Sequence, residues 1–333
     1  MKAKNLVPII LLFFYSEHSY TQNKKEMEEF KNPLLCDPAV GFCEVPGQAG
    51  DTNAFVSLNK IEKPVKLIYY TDPICSSCWG IEPALRKFKL EYGDAVEIEY
   101  RMGGLLPDWS YNSGGISKPS DVAHHWDEVS VYYDMPIDGD VWLEDPLNSS
   151  YPASIAFKAA QIQSNDKAIL FLRAMREMVF LEKKNIAKWE VIEEAAKKVA
   201  LDVQQLKSDY DSKAKEMFAE DLKLAKEMGV RGFPTMFFTD KQGNREIVYG
   251  TKPYANYESA LLKIHSKAEK KSYDKSNDAL FKKYNSLTAK EYAELTGVPR
   301  AQSEQALDEL VAIGKLEKLK TKNGAIWRVK SHL

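Results

Sequence analysis

Residues 72–83 read DPICSSCWGIEP and lie between an apolar run, VKLIYYT at 65–71, and a helical pattern. A strand that enters a helix through Cys-x-x-Cys restricts the fold around it. The first cysteine caps the helix, where free backbone N–H groups and the helix dipole favour a thiolate, and the second lies one turn inside. A thiol–disulfide exchanger needs this pairing of an exposed thiolate with a neighbour able to close on a mixed disulfide. Cys75 therefore reads as the nucleophile and Cys78 as the resolving thiol.

The flanking pattern supplies a sheet to hold them. The spacing of Ile81, Leu85, Phe88 and Tyr92 predicts a helix over 76–92, kinked by Pro83. VEIEYRM at 96–102 alternates as a strand, and strand, helix and strand in that order imply a right-handed crossover and a parallel pair. A Gly/Pro/Trp-rich loop follows, then helical patterns at 120–134, 152–163, 165–184, 188–200 and 203–228. Together they make a helical insertion of about 105–228 that stops at Gly229. TMFFT at 235–239, a turn at 240–244 and EIVY at 246–249 read as a hairpin, and 254–271 as a closing helix. The fold class is thus α/β, with β-α-β, a helical insertion, then β-β-α. Gly232-Phe233-Pro234-Thr235 precedes the returning strand; a cis Pro234 would present the Phe233 backbone to a peptide beside the cysteines. Trp79, next to the pair, is placed near substrate. Glu82, four residues past Cys78, is a candidate proton acceptor for it, against the plainer reading of a solvated helix charge.

Beyond a charged linker, KAEKKSYDKSND, residues 277–333 form a smaller unit: helix 287–295, turn 296–299, helix 300–313 and a hairpin about Lys322-Asn323-Gly324. Helix, turn, helix and wing suggest a winged helix. Glu304, Asp308 and Glu309 on its second helix suit a protein partner better than a nucleic-acid groove.

The 333 residues carry a net charge of -2, which gives no pull toward nucleic acid or anionic membrane. No stretch reaches the roughly 18 apolar residues of a membrane span. The four cysteines fall as two close pairs, too sparse for a disulfide-stapled small fold. Cys36 and Cys43, in an N-terminal extension of 23–62, read either as a loop-pinning disulfide or as a second redox pair. A zinc site from all four is the rival, although Cys36-x6-Cys43 is wider than the usual knuckle. Residues 1–22 look like a signal peptide interrupted by Pro8, and Met27 offers a second start. The first reading sends the chain out of the cytoplasm; the second keeps it there.

CxxC, the helix proline Pro83 and Gly-x-Pro-Thr before the returning strand resemble the thioredoxin superfamily, in its DsbA-like branch with a helical insertion. DPICSSCWGIEP with LRKFKLEYG, HHWDEVSVYYDMP and SSYPASIAFKAAQ are similar to the FrnE/SpxH group over roughly residues 64–268, and the C-terminal unit looks like an SpxH tail. The resemblance implies a DsbA-like domain at 63–271, with Cys75 and Cys78 as catalytic pair and Pro234 as substrate-side cis proline. It tips localisation toward the cytoplasm. It also implies a protein disulfide oxidoreductase or isomerase acting on cysteine-containing proteins, without metal or organic cofactor. The alternative is a non-catalytic adaptor that brings a regulator to the ClpXP protease. Ser76-Ser77 replaces the Pro-His of strongly oxidising DsbA enzymes, and a charged Asp72 could oppose ionisation of Cys75. A milder pair is expected.

Overall fold

The computed structural model describes residues 36–37, 41–44, 63–110 and 117–330. The signal-like segment, Met27 and most of the 23–62 extension lie outside the described residues.

The central sheet has the order β4-β3-β6-β7. Strand β3 (Val65–Thr71) is buried along its whole length, as its mostly apolar run requires. It pairs in parallel with β4 (Val96–Met102) and antiparallel with β6 (Thr235–Asp240), which pairs antiparallel with β7 (Arg245–Tyr249). The alternation of β4 marks it as the edge, where Lys66 of β3 meets Glu99 at 2.5 Å. The crossover helix is two helices rather than one kinked helix. Helix α1 (Ser76–Gly80) ends at Ile81, and α2 (Glu82–Tyr92) begins there with Pro83 in its first turn, where a missing N–H is harmless.

The insertion consists of α3 (Pro119–Tyr133), α4 (Val141–Glu144), α5 (Tyr151–Gln163), α6 (Asn165–Leu181), α7 (Trp189–Lys198), α8 (Val203–Asp211) and α9 (Lys213–Glu227). The expected helix 203–228 is broken at Ser212, whose backbone leaves the helical region (φ -129, ψ -106). Gly229, at φ +68, ends α9. The small residues Ala153, Ala156, Ala159 and Ala160 of α5 are fully buried and let α6 approach closely. The buried carboxylate of Asp221 on α9 holds Arg101 of β4 at 2.8 Å and Lys158 of α5 at 2.9 Å, fixing the insertion to the sheet. The closing helix α10 (Tyr254–Ile264) is shorter than expected.

The C-terminal unit runs α11 (Asn277–Lys283), β8 (Ser286–Thr288), α12 (Ala289–Thr296), α13 (Arg300–Ala312), β9 (Leu316–Thr321) and β10 (Gly324–Val329). The expected helix start at 287 is a strand instead. Leu287 pairs with Trp327, and Thr288 caps α12 through a capping box with Glu291. Leu280, Leu287, Tyr292, Leu295, Leu307 and Trp327 form its own small core. The sheet order is β8-β10-β9.

Candidate active site

Strand β3 stops at Thr71, and the turn 72–74 delivers Cys75 to the N-cap of α1. Its Sγ accepts the Cys78 backbone N–H at 3.1 Å, and the Cys75 carbonyl accepts from Trp79 N at 3.0 Å. Cys75 and Cys78 are joined as a disulfide. The helix start thus offers Cys75 the free N–H that a thiolate needs. Between the cysteines, the Ser77 hydroxyl bonds the Tyr133 hydroxyl of α3 at 2.7 Å. Gly80 makes room for that ring: a Cβ there would lie 2.6 Å from it.

Asp72 is fully buried, not a free charge beside the sulfurs. Its carboxylate accepts from Ile74 N (3.0 Å), Leu105 N (2.8 Å) and Ser150 Oγ (2.9 Å). Burial pushes its acid up to about 6, only partly offset by these donors.

Pro234 follows a cis peptide bond from Phe233, as expected. The backbone of Phe233 is engaged, but by the chain itself. Strand β1 (Cys36–Asp37) pairs with β2 (Phe42–Glu44), and β2 pairs antiparallel with β5 (Gly232–Phe233), with Cys43 opposite Phe233. This brings Cys43 Sγ to 3.6 Å from Cys75 Sγ. An exposed nucleophile was expected, yet Cys43, Cys75 and Cys78 all have no exposed surface. The Phe233 ring fills the space left by Gly103, where a Cβ would fall 1.7 Å from it. Gly103 and the hairpin were both missed in the sequence; the glycine pair in GGLLPD was the available signal for the first.

Trp79 corrects an expectation. Its indole is fully buried, stacks on Phe180 at 5.5 Å, donates to the Pro136 carbonyl at 3.1 Å and lies under the Arg173 guanidinium at 4.4 Å. It packs α1 onto the insertion, inside the core rather than at a surface. Glu82 is not a solvated charge either. It is buried, paired with Arg176 at 2.8 Å, and has Arg86 at 3.7 Å and Arg173 at 4.0 Å. Arg176 also donates to Thr71 Oγ1 at 2.5 Å and to the Asp72 carbonyl at 3.3 Å, so it ties α6 to the strand end that carries the cysteines.

The arginines continue into the C-terminal unit. Glu291 of α12, fully buried, takes two bonds from Arg173 (2.7 and 3.1 Å), with Arg86 at 3.2 Å, while Arg86 also donates to the Ser286 carbonyl at 2.8 Å. Burial disfavours its charge, but Arg173 and Arg86 outweigh that and hold its acid below the usual range. At the rim, Lys322 reaches Asp127 (2.5 Å) and Asp140 (2.8 Å).

A family model described as Thioredoxin matches residues 69–259. The ClpXP adapter protein SpxH of Halalkalibacterium halodurans is 34% identical over 308 residues, covering 91% of this chain and 99% of the relative. SpxH of Bacillus subtilis is 30% identical over 272 residues, covering 80% and 90%. Among solved structures, a candidate protein disulfide isomerase of Nitrosomonas europaea superposes with a TM-score of 0.51 at 21% identity, over 62% of this chain and 97% of its own. A family match across the strand–helix–strand and returning hairpin, with similarity to SpxH that runs on through the C-terminal unit, makes the chain a member of the SpxH family of DsbA-like thioredoxin-fold proteins.

Proposed function

We propose that the chain is an SpxH-type adaptor whose thioredoxin-like body carries a working thiol–disulfide exchange pair. The observation that carries the exchange reading is the capped Cys75, with the Cys78 N–H on its sulfur and Cys78 within bonding reach. In the reducing direction, the Cys75 thiolate attacks one sulfur of a client disulfide, and the client's other sulfur leaves as a thiolate. Cys78, deprotonated, then attacks Cys75 Sγ; the client's first sulfur leaves, the Cys75–Cys78 disulfide forms, and two electrons have passed to the client. The oxidising direction runs the same bonds backward. Glu82 is the proposed acceptor of the Cys78 proton. The steps as written need neither metal nor organic cofactor.

The adaptor half rests on similarity to SpxH across both the body and the C-terminal unit. We read 277–333 as winged helix-like, a reading supported by its helix–strand–helix–helix–hairpin order. A protein partner suits it better than nucleic acid, because Lys315, Lys318 and Lys322 are each paired with an aspartate. The partners proposed are a cysteine-bearing regulator and the ClpXP protease. The test is a glutathione redox titration with Cys75 and Cys78 followed by alkylation and peptide mapping, run beside protease delivery by Cys75→Ser. A reversible two-electron transition of Cys75 with Cys78 is expected. Thiols that never react, with delivery by Cys75→Ser intact, would leave a non-catalytic adaptor.

A further inference from the structure

The β1–β2 hairpin occupies the edge where a client strand would have to lie. Cys43 faces Phe233 across an antiparallel ladder, and Glu44 faces Gly232. A second attachment pins the turn: the Gly41 carbonyl accepts the Thr251 N–H, and a Cβ on Gly41 would sit 2.8 Å from the Thr251 oxygen. Gly41 also holds φ +75, which side-chain-bearing residues rarely adopt. With both anchors in place, Cys43 Sγ lies 3.6 Å from Cys75 Sγ and is fully buried. That is the separation of two sulfurs in contact, poised for one to displace a group from the other. Cys43 is itself disulfide-bonded, Cys75 and Cys78 are bonded to each other, and Cys36 stands opposite Cys43 in the ladder.

We infer that the Cys36/Cys43 hairpin is a tethered substrate: a strand of the chain's own that fills the docking edge of β5 and exchanges disulfides with Cys75. The inference rests on the exchange reading above and names the first partner of that site. With Cys75 and Cys78 reduced, the Cys75 thiolate attacks Cys43 Sγ. A Cys43–Cys75 bond forms, the Cys36–Cys43 bond breaks, and Cys36 leaves as a thiolate. Cys78, deprotonated, attacks Cys75 Sγ; the Cys43–Cys75 bond breaks and Cys43 leaves as a thiolate. Two electrons and two protons have moved from the CxxC to the hairpin, and the reverse sequence returns them. The same placement shields Cys75, so an outside client reaches it only when the hairpin leaves its edge.

The test uses the full chain with Cys78→Ala, which removes the resolving step. With Cys75 as the thiol and the hairpin cysteines still oxidised, both checked by mass before incubation, non-reducing peptide mapping should find the Cys43–Cys75 linked peptide as the main product, with Cys36 newly alkylatable. A second variant, Gly41→Val, should undock the turn and raise the alkylation rate of reduced Cys75 by at least about ten-fold, as a locally closed segment opens. If Cys75 of Cys78→Ala forms a mixed disulfide with added oxidised glutathione but never with Cys43, and Gly41→Val leaves its labelling unchanged, the inference falls while the exchange reading stands. If Cys75 reacts with neither sulfur, both fall. In the reduced parent chain, one equivalent of tightly held zinc masking all four thiols until a chelator is added would likewise overturn it.

Discussion

Around Cys75 the partners are a backbone N–H, a neighbouring sulfur and the edge of a strand, all neutral. Around Glu82, one helix start further on, they are three guanidiniums, two of which also hold the buried Glu291 of the C-terminal unit. Neutral contacts can be broken and remade at small cost, since a net hydrogen bond is worth about 1 kcal/mol. Buried charges cannot be separated that way, because a partner left behind is stranded without water. Under the proposed exchange the sulfur end changes partners, while the arginine seam keeps them.

The largest expected effect lies in the seam. Glu291→Ala leaves Arg173 and Arg86 sharing the more distant Glu82 (4.0 and 3.7 Å) in place of their closest common carboxylate, and also removes the N3 half of the α12 capping box. Breaking a buried pair from one side costs about 3–5 kcal/mol, so denaturant unfolding should show a loss of that size. Cys75 in the folded fraction should exchange as in the parent. A loss below about 1 kcal/mol would mean that water reaches the seam, and the contrast with the sulfur end would collapse.

Asp72 sharpens the comparison from the other side, as a carboxylate held by neutral donors only a turn from the sulfurs. Its acid is raised to about 6 from an ordinary 3.8, so the folded chain keeps this proton where the unfolded chain has lost it. Stability from this group is therefore full below the unfolded value and is lost as pH rises through the folded one. The total is about 3 kcal/mol between about pH 4 and pH 7. Asp72→Asn has no proton to lose. Relative to the parent it should gain about that much across the same interval, as read by denaturant midpoints at both ends. A difference that stays flat with pH would show that the carboxylate is solvated.

Gly103→Ala should act on geometry alone. The added methyl meets the Phe233 ring, which cannot retreat because β5 is held by β2 on one side and by the chain into β6 on the other. Overpacking of this kind costs about 1–3 kcal/mol. A matching slowing of exchange at Cys75 is expected, since the strand that faces the sulfurs has to shift. Unchanged rates with lowered stability would separate Phe233 from the site.

What was legible in the sequence was whatever is written locally. VKLIYYT and VEIEYRM betray a central and an edge strand by their patterns, and Cys75 announces its cap by standing where the strand ends. Errors came where neighbours in sequence diverge in space. Trp79 follows Cys78, but one residue turns a helix by about 100°, and the indole points into the insertion. Glu82 looked solvated because its main partner, Arg176, is 94 residues away. The pairing of Cys43 with Phe233 joins backbones 190 positions apart and leaves no composition signal; both pairs of cysteines could be read, but not that they touch.

Lys322 gives the smallest effect and closes the comparison, because it joins the same two parts of the molecule as Glu291 does. Its Nζ reaches Asp127 and Asp140, yet the side chain is 42% exposed, so water competes for every contact. Exposed pairs contribute about 0–1 kcal/mol and fade with salt. Asn323 keeps its own bonds to Asp127 (2.7 Å) and the Ile137 carbonyl (2.9 Å), so the turn stays attached when the lysine is cut back. Lys322→Ala should therefore shift the unfolding midpoint slightly at low ionic strength and not at all in high salt, while the Glu291→Ala loss persists in both. If the lysine's effect equalled the glutamate's, the C-terminal unit would be held by its rim, and the buried arginines would owe their place to orienting Cys75 through Arg176 rather than to joining the two parts.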